Sequence, residues 1–244
     1  MSVGTQNEST RVAWIAQTLQ KIPAGARLLD AGAGERQFER FCGHLRYVAQ
    51  DFAQYDGQGN GVGLQTGRWD QSKLDIVSDI ARIPEPDGAF DAIMCTEVFE
   101  HIPHPAQAMA EFARLLRPGG FLLITAPFCS ITHFAPYHFY TGFSRYFYDH
   151  YLAQHDFELL DFQRNGNYFE YIGQELRRVP RVAGQYAGGG LRLWERVASR
   201  VLLRALARLS AADTRSAELL CFGCHVFAQK RATVAQGRDS DPVG

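Results

Sequence analysis

An α/β fold, in which helices cover both faces of a mostly parallel sheet, is what this sequence predicts, on three observations. Short apolar runs of strand length alternate with segments of helical period along most of the 244 residues, the trace that parallel strands joined by crossover helices leave in a sequence. Residues 26–29 form one such run, which leads into Asp30 and then Gly32 and Gly34, separated by one alanine. That strand-to-turn junction is the type that holds a nucleotide cofactor at the end of an open sheet, and the glycines allow a positive φ and a close ligand approach. The next apolar run ends at Asp51, 21 residues past Asp30, where such a sheet carries an acceptor for ribose hydroxyls.

Composition narrows the function classes. A hydrophobic fraction of 46% and a net charge of −1 describe a globular chain with an ample core and exclude a dedicated nucleic-acid binder, which would carry a marked basic excess. No apolar run approaches the ~20 residues of a bilayer span, and residues 1–10 are polar rather than a secretory leader. The five cysteines are odd in number and scattered, as in a cytoplasmic protein with reduced thiols. Cys221 and Cys224 form the one close pair; with no second Cys/His pair at zinc spacing they read as core thiols, and no metal site is expected.

In chain order, residues 8–22 set Val12, Ile15, Ala16, Leu19 and Ile22 at helical spacing, a first helix over the sheet edge. Strand one and the glycine turn follow, then a polar, helix-compatible run over 35–41 with Phe38 and Phe41 as core contacts. Strand two is 45–50. Residues 52–73 are rich in Gly and Gln, carry Tyr55 and Trp69, and are long for a connection; they read either as a cover over the cofactor or as a surface excursion. Strand three is 74–78, ending at Asp79 and Ile80, and strand four is 90–95. A helix over 106–116 puts Ala108, Met109, Phe112, Leu115 and Leu116 on one face, and Pro118 with Gly119 and Gly120 stops it. Strand five (121–126), a helix (145–154), strand six (157–162) and a last strand over 219–229 complete the domain. One domain over 8–230 is expected, with a helical insertion at about 166–216 and flexible termini at 1–7 and 231–244.

Together, Asp30-Ala31-Gly32-Ala33-Gly34, the acid Asp51, Asp79-Ile80, Thr96-Glu97 through His101, and Leu116 through Gly120 resemble the successive motifs of class I S-adenosylmethionine-dependent methyltransferases. The resemblance spans roughly residues 20–165. It implies a doubly wound, Rossmann-like seven-stranded sheet whose last strand is antiparallel, with the cofactor across the carboxyl ends of the strands. It also implies that S-adenosylmethionine, or its product S-adenosylhomocysteine, meets Asp30, Ala31, Gly32 and Gly34 along its methionine portion. Asp51 would hold the ribose, with the adjacent Phe52 also meeting the cofactor, Asp79 and Ile80 would border the adenine, and Thr96 and Glu97 would line the methionyl side. Glu35 stands where the family's third glycine is usual. A nicotinamide cofactor would want glycine at 37 to complete Gly-x-Gly-x-x-Gly; Gln37 weighs against that oxidoreductase reading.

The acceptor is expected after strand five, where residues 133–144 hold five aromatics and two histidines, a composition suited to a small-molecule pocket. His138 and His133 lead as candidate general bases for O- or N-methylation, with His101 third; each also has a plain structural reading, as a ring bonded to backbone. The acceptor class is a small molecule, a sugar or a lipid-linked precursor. Residues 177–208 hold eight arginines against one acid, Glu195, a local charge of +7. Five of those arginines, at 192, 196, 200, 204 and 208, recur every fourth residue on a helix whose other side offers Leu191, Trp194, Val197, Val201 and Leu202. This face reads as a contact for an anionic membrane surface or phosphorylated carrier, as a homodimer interface, or as a solvated face on a helix that buries its Leu/Trp side. A non-catalytic module that binds partners through this helix is the alternative to an enzyme.

Overall fold

The structure is a computed structural model and describes residues 2–232. Seven strands form one sheet in the order β3-β2-β1-β4-β5-β7-β6: β1 Arg27–Ala31, β2 Arg46–Asp51, β3 Ile76–Val77, β4 Phe90–Thr96, β5 Leu116–Pro127, β6 Phe157–Asn165 and β7 Gly223–Lys230. Strands β1 to β5 pair in parallel, and β7 inserts antiparallel between β5 and β6. The chain leaves β1 in one direction to form β2 and β3, then returns on its other side to form β4 and β5. This reversal opens a crevice at the carboxyl ends of β1 and β4.

Adjacent residues on each strand serve opposite faces, as the pleat requires. Leu28, Ala92, Met94, Leu123 and Phe227 pack with Trp14, Ile15 and Leu19 of α1 (Asn7–Leu19). Leu29, Ile93, Leu122 and Ile124 pack with α2 (Pro105–Leu115) and α3 (Arg145–Gln154) through Met109, Phe112 and Tyr148. Helix α1 lies toward the β7/β6 edge of that face, where the Trp14 ring sits 4.8 Å from His225 of β7 and its indole donates to Asp161 of the edge strand β6 (3.3 Å). Helix α2 starts with Pro105 at its first turn, where the missing N–H costs nothing. Its end is tied down by the Lys230 ammonium, which donates to the carbonyls of Ala113 (2.6 Å) and Leu116 (2.9 Å).

Several expectations need correction. No α-helix follows the glycine turn: residues 35–41 form turns and one 3₁₀ turn, Glu39–Phe41, because Arg36 takes a left-handed φ of 61° that interrupts a helix. Phe38 is still buried and Phe41 packs beside it. Strand β3 has two residues instead of five, since Asp75 caps the sheet edge with its side chain, accepting from the Ala49 amide at 2.8 Å. Residues 2–7, expected to be flexible, pack against α4 (Tyr168–Tyr186): Val3 is buried, the Gly4 amide donates to Glu170 (2.6 Å), and Arg177 donates to the Val3 carbonyl (2.7 Å). Most of the tail expected at 231–244 lies outside the described residues.

The insertion between β6 and β7 is a helical hairpin of α4 and α5 (Leu193–Ala211). Asn167 caps α4 by accepting from the Glu170 amide. Helix α5 buries Leu206 alone, while Trp194 is 66% and Val201 59% exposed. The Leu/Trp side expected to be covered in the plain reading faces outward.

Candidate functional site

The glycine turn caps the crevice. Gly32 has φ 79°, and a Cβ there would lie 2.5 Å from a Val98 methyl, so only glycine lets β1 end against the turn after β4. The next element fixed is Asp51, whose Oδ2 accepts from the Gly34 amide (3.0 Å) and Oδ1 from the Ala53 amide (2.9 Å). Burial pushes its carboxyl above the ordinary range, and these backbone donors partly offset the shift. Two donors orient the carboxylate and leave it acceptor capacity toward the crevice.

That crevice is a cavity of about 540 Å³. Of the residues expected to meet a cofactor, Gly32, Asp51, Phe52, Asp79, Ile80 and Glu97 line it. Asp30, Ala31, Gly34 and Thr96 do not. Ala31 and Thr96 are buried in the strand ends, Gly34 acts on Asp51, and Asp30 lies beneath the turn, accepting from the Tyr47 hydroxyl. Burial pushes the Asp30 carboxyl up to about 7 despite that bond.

Residues 52–73 settle as a cover. Their main chain meets the loop after β5 through a bridge between Leu64 and His133. Tyr55 stacks on Phe134 with centroids 4.8 Å apart, Trp69 meets Tyr55 edge-on at 4.9 Å, and Phe52 meets Tyr137 at 5.0 Å. Tyr55, Trp69, Phe134 and Tyr137 thus complete the cavity wall. The available signal was two aromatic-bearing loops after neighbouring strand ends; nothing in either loop alone names the other.

Glu97 sits at the centre with a left-handed φ of 54°, a conformation that costs free energy in a residue other than glycine. Its amide donates to the Thr125 carbonyl (2.8 Å). Its carboxylate accepts from the Thr125 hydroxyl (3.0 Å) and pairs with Arg11 of α1 at 2.9 Å. Glu97 and Phe134 also border a second cavity of about 320 Å³, which Ser130, His133, Gln174, Arg178 and Arg181 help to line. Helix α4 therefore contributes directly to the site.

The three candidate histidines cluster. His101 and His133 rings lie 4.6 Å apart, and His133 and His138 rings 4.9 Å apart. His101 lines the larger cavity and His133 the smaller one; His138 lines neither and has its Nε2 3.2 Å from the Ser130 hydroxyl. Burial, with His133 nearby, holds His101 down at about 3. His133 is also drawn down by burial, but the neighbouring Glu100 carboxyl outweighs that and leaves it above its usual value. His138 is lowered by burial and by His133. Glu100, which sequence reasoning passed over, is wholly buried between His101 and His133, and burial pushes its carboxyl up to about 7. Cys221 and Cys224 are both buried free thiols away from this cluster.

A family model described as a methyltransferase domain matches residues 6–179. Among curated proteins, the chain is 32% identical over 118 residues to a ubiquinone biosynthesis O-methyltransferase of Xanthomonas axonopodis pv. citri, covering 47% of this chain and 48% of that protein. It is 30% identical over 128 residues to the same-named protein of Alkalilimnicola ehrlichii, covering 47% of each. The chain thus spans about half the length of the curated relatives it matches. Among solved structures, a SAM dependent methyltransferase from Archaeoglobus fulgidus superposes with a TM-score of 0.58 at 15% identity, covering 91% of this chain and 94% of that one. The cyclopropane synthase MmaA2 of Mycobacterium tuberculosis gives 0.54 at 16% identity, covering 94% and 90%. At those identities the likeness is one of fold.

Proposed function

The chain belongs to the methyltransferase-domain family, and we propose that it transfers a methyl group from S-adenosylmethionine to a small anionic acceptor. The carrying observation is the pair of cavities that share Glu97 and Phe134 as a common wall: one chamber of cofactor size, one smaller chamber opening on its flank. The larger chamber fits the cofactor's chemistry. Asp51 is a buried, preoriented carboxylate suited to a ribose diol. Phe52, Ile80 and Val98 offer apolar surface to a base, with Asp79 as an acceptor for its amine. Glu97 supplies negative charge where a sulfonium and an amino group need it. When bound, the cofactor provides an electrophilic methyl carbon attached to positive sulfur.

The residues of this chain then have three tasks: to align the acceptor, to exclude water and to leave the nucleophile free. The interlocked rings of Tyr55, Trp69, Phe134 and Tyr137 form the cover. In the smaller chamber, Arg178 is paired with Glu175 at 2.7 Å while Arg181 brings a further positive charge, and that cation supports an acceptor carrying phosphate or carboxylate. O-methylation is favoured because the matched relatives are named O-methyltransferases. Calorimetry with S-adenosylhomocysteine should give one site with a Kd on the order of micromolar, and labelled methyl from S-adenosylmethionine should pass to a phosphorylated or carboxylated acceptor. No heat with the wild-type protein overturns the reading. Binding without turnover across such acceptors leaves the non-catalytic alternative.

The exposed side of the hairpin supports a finer reading, in which the acceptor is lipid-linked and the hairpin rests on an anionic membrane surface. No helix among the described residues is long and apolar enough to cross a membrane. Helix α5 instead presents Trp194, Val197 and Val201 to solvent beside Arg200, Arg204 and Arg208, the arrangement of an interfacial helix. The protein should sediment with vesicles containing phosphatidylglycerol and not with pure phosphatidylcholine. Arg196→Glu, Arg200→Glu and Arg204→Glu together should weaken that binding roughly 100-fold, at ~1 kcal/mol per basic residue near the surface. A stable dimer that covers the face, or equal binding to both vesicle types, overturns this reading.

A further inference from the structure

The wall between the two cavities contains an arrangement that methyl transfer does not require. Glu100 is 0% exposed, and neither of its carboxylate oxygens has a hydrogen-bond partner. Burying a carboxylate without partners is costly, so such groups are ordinarily paired, protonated or bound to a cation. Two imidazole nitrogens face it: His101 Nε2 and His133 Nε2 each lie 3.7 Å from Glu100 Oε1, too far for a hydrogen bond. His101 Nε2 is itself buried and without a partner.

The backbone sets the tautomers. His101 Nδ1 is 2.6 Å from the Tyr137 carbonyl and His133 Nδ1 is 2.9 Å from the Ile131 carbonyl. A carbonyl only accepts, so each Nδ1 carries a proton, and in the neutral imidazole each Nε2 presents a lone pair toward Glu100. Three acceptors therefore converge, and their ligand atoms all lie within 4.8 Å of one another. A proton shared between Glu100 and either imidazole would span a 3.7 Å gap. A cation answers all three, since ligands at about 2.0–2.2 Å from one ion stand roughly 3–4 Å apart. Imidazoles whose other nitrogen is anchored to a backbone carbonyl are the usual supporting shell of such ligands.

We propose that Glu100, His101 and His133 form a site for a divalent transition-metal ion. Two imidazole nitrogens and one carboxylate oxygen suit Zn²⁺, Fe²⁺ or Co²⁺ better than Ca²⁺ or Mg²⁺, which prefer all-oxygen shells. The three ligands come from two segments: Glu100 and His101 from the turn after β4, and His133 from the loop after β5. The ion would pin that loop to the sheet. His133 also lines the smaller cavity, so an open coordination position there can accept a hydroxyl of the acceptor. That role rests on the proposed methyl transfer; the metal site itself does not.

The test uses the full chain, treated with chelator, dialysed and titrated with Zn²⁺ and with Co²⁺, while S-adenosylhomocysteine binding is followed separately as a check on the fold. One equivalent of either ion should bind with submicromolar Kd, and Co²⁺ should develop visible absorption bands of nitrogen and oxygen ligation. His133→Ala and Glu100→Gln should each weaken Zn²⁺ binding at least 100-fold; His133→Ala, on a partly exposed loop, should retain S-adenosylhomocysteine binding. The proposal is overturned if the wild-type chain binds neither ion below 100-fold the expected Kd. It is equally overturned if Zn²⁺ affinity survives both variants, or is lost in Cys221→Ser instead. Failure of S-adenosylhomocysteine to bind, with Zn²⁺ bound normally, would count against methyl transfer and leave the metal site standing.

Discussion

Replacing Asp51 with alanine should weaken S-adenosylhomocysteine binding about 100-fold while leaving the protein folded. The carboxylate is held by the amides of Gly34 and Ala53 at the cavity wall, which spares a ligand the cost of orienting it. Hydrogen bonds to a charged acceptor contribute roughly 1.5–3 kcal/mol each, and a ribose offers two hydroxyls, so a loss of about 3 kcal/mol is a lower figure. Asp51→Asn keeps one acceptor oxygen and should fall between alanine and wild type. Calorimetry measures the affinities and a thermal melt verifies the fold. An alanine variant within threefold of wild type would remove Asp51 from the binding site.

The second large effect is on stability. The Asp30 carboxyl is pushed by burial from 3.8 to about 7, and its Oδ1 has no partner. Tyr47 and Arg36 pull it down, while Asp51 and Glu39 add to the rise. A carboxyl whose folded value exceeds its unfolded one binds protons more tightly in the folded state. Its contribution is therefore complete below about pH 4 and is lost as the pH rises from 4 through 7. A shift of this size corresponds to about 4 kcal/mol across that window. Asp30→Asn keeps the side chain's shape without the titration. Denaturant unfolding should find the variant more stable than wild type at pH 8, with the difference vanishing toward pH 4. An unchanged difference at the two pH values would show that Asp30 is not held as described.

The legible part of this protein is its strand-end chemistry. Gly32, Asp51, Asp79 and Glu97 lie at the carboxyl ends of consecutive strands, where topology alone brings them together, and local apolar runs suffice to find those strands. The count of seven strands and the antiparallel last strand followed from the resemblance, and the pairing of β7 with β5 and β6 bears them out. What local patterns missed depends on contacts between segments distant in the chain. Residues 35–41 have helix-compatible composition, yet Arg36 is turned left-handed where it donates to the Lys73 carbonyl and Glu39. Glu100 has no local signal in the sequence, because the group that faces it, His133, comes from another loop. Periodicity marks a Leu/Trp side on α5 but cannot tell an apolar face that is covered from one that is not.

Phe134 ends up bordering both cavities, with its main chain tied to Leu64 and its ring stacked on Tyr55 and His101. It is a partition between two chambers, so any displacement of its ring would alter the wall of both. Such communication is reciprocal: whatever the first occupant does to the affinity of the second, the second must do to the first. Seven strands hold the two chambers side by side, and Glu97 and Phe134 are the residues that line both.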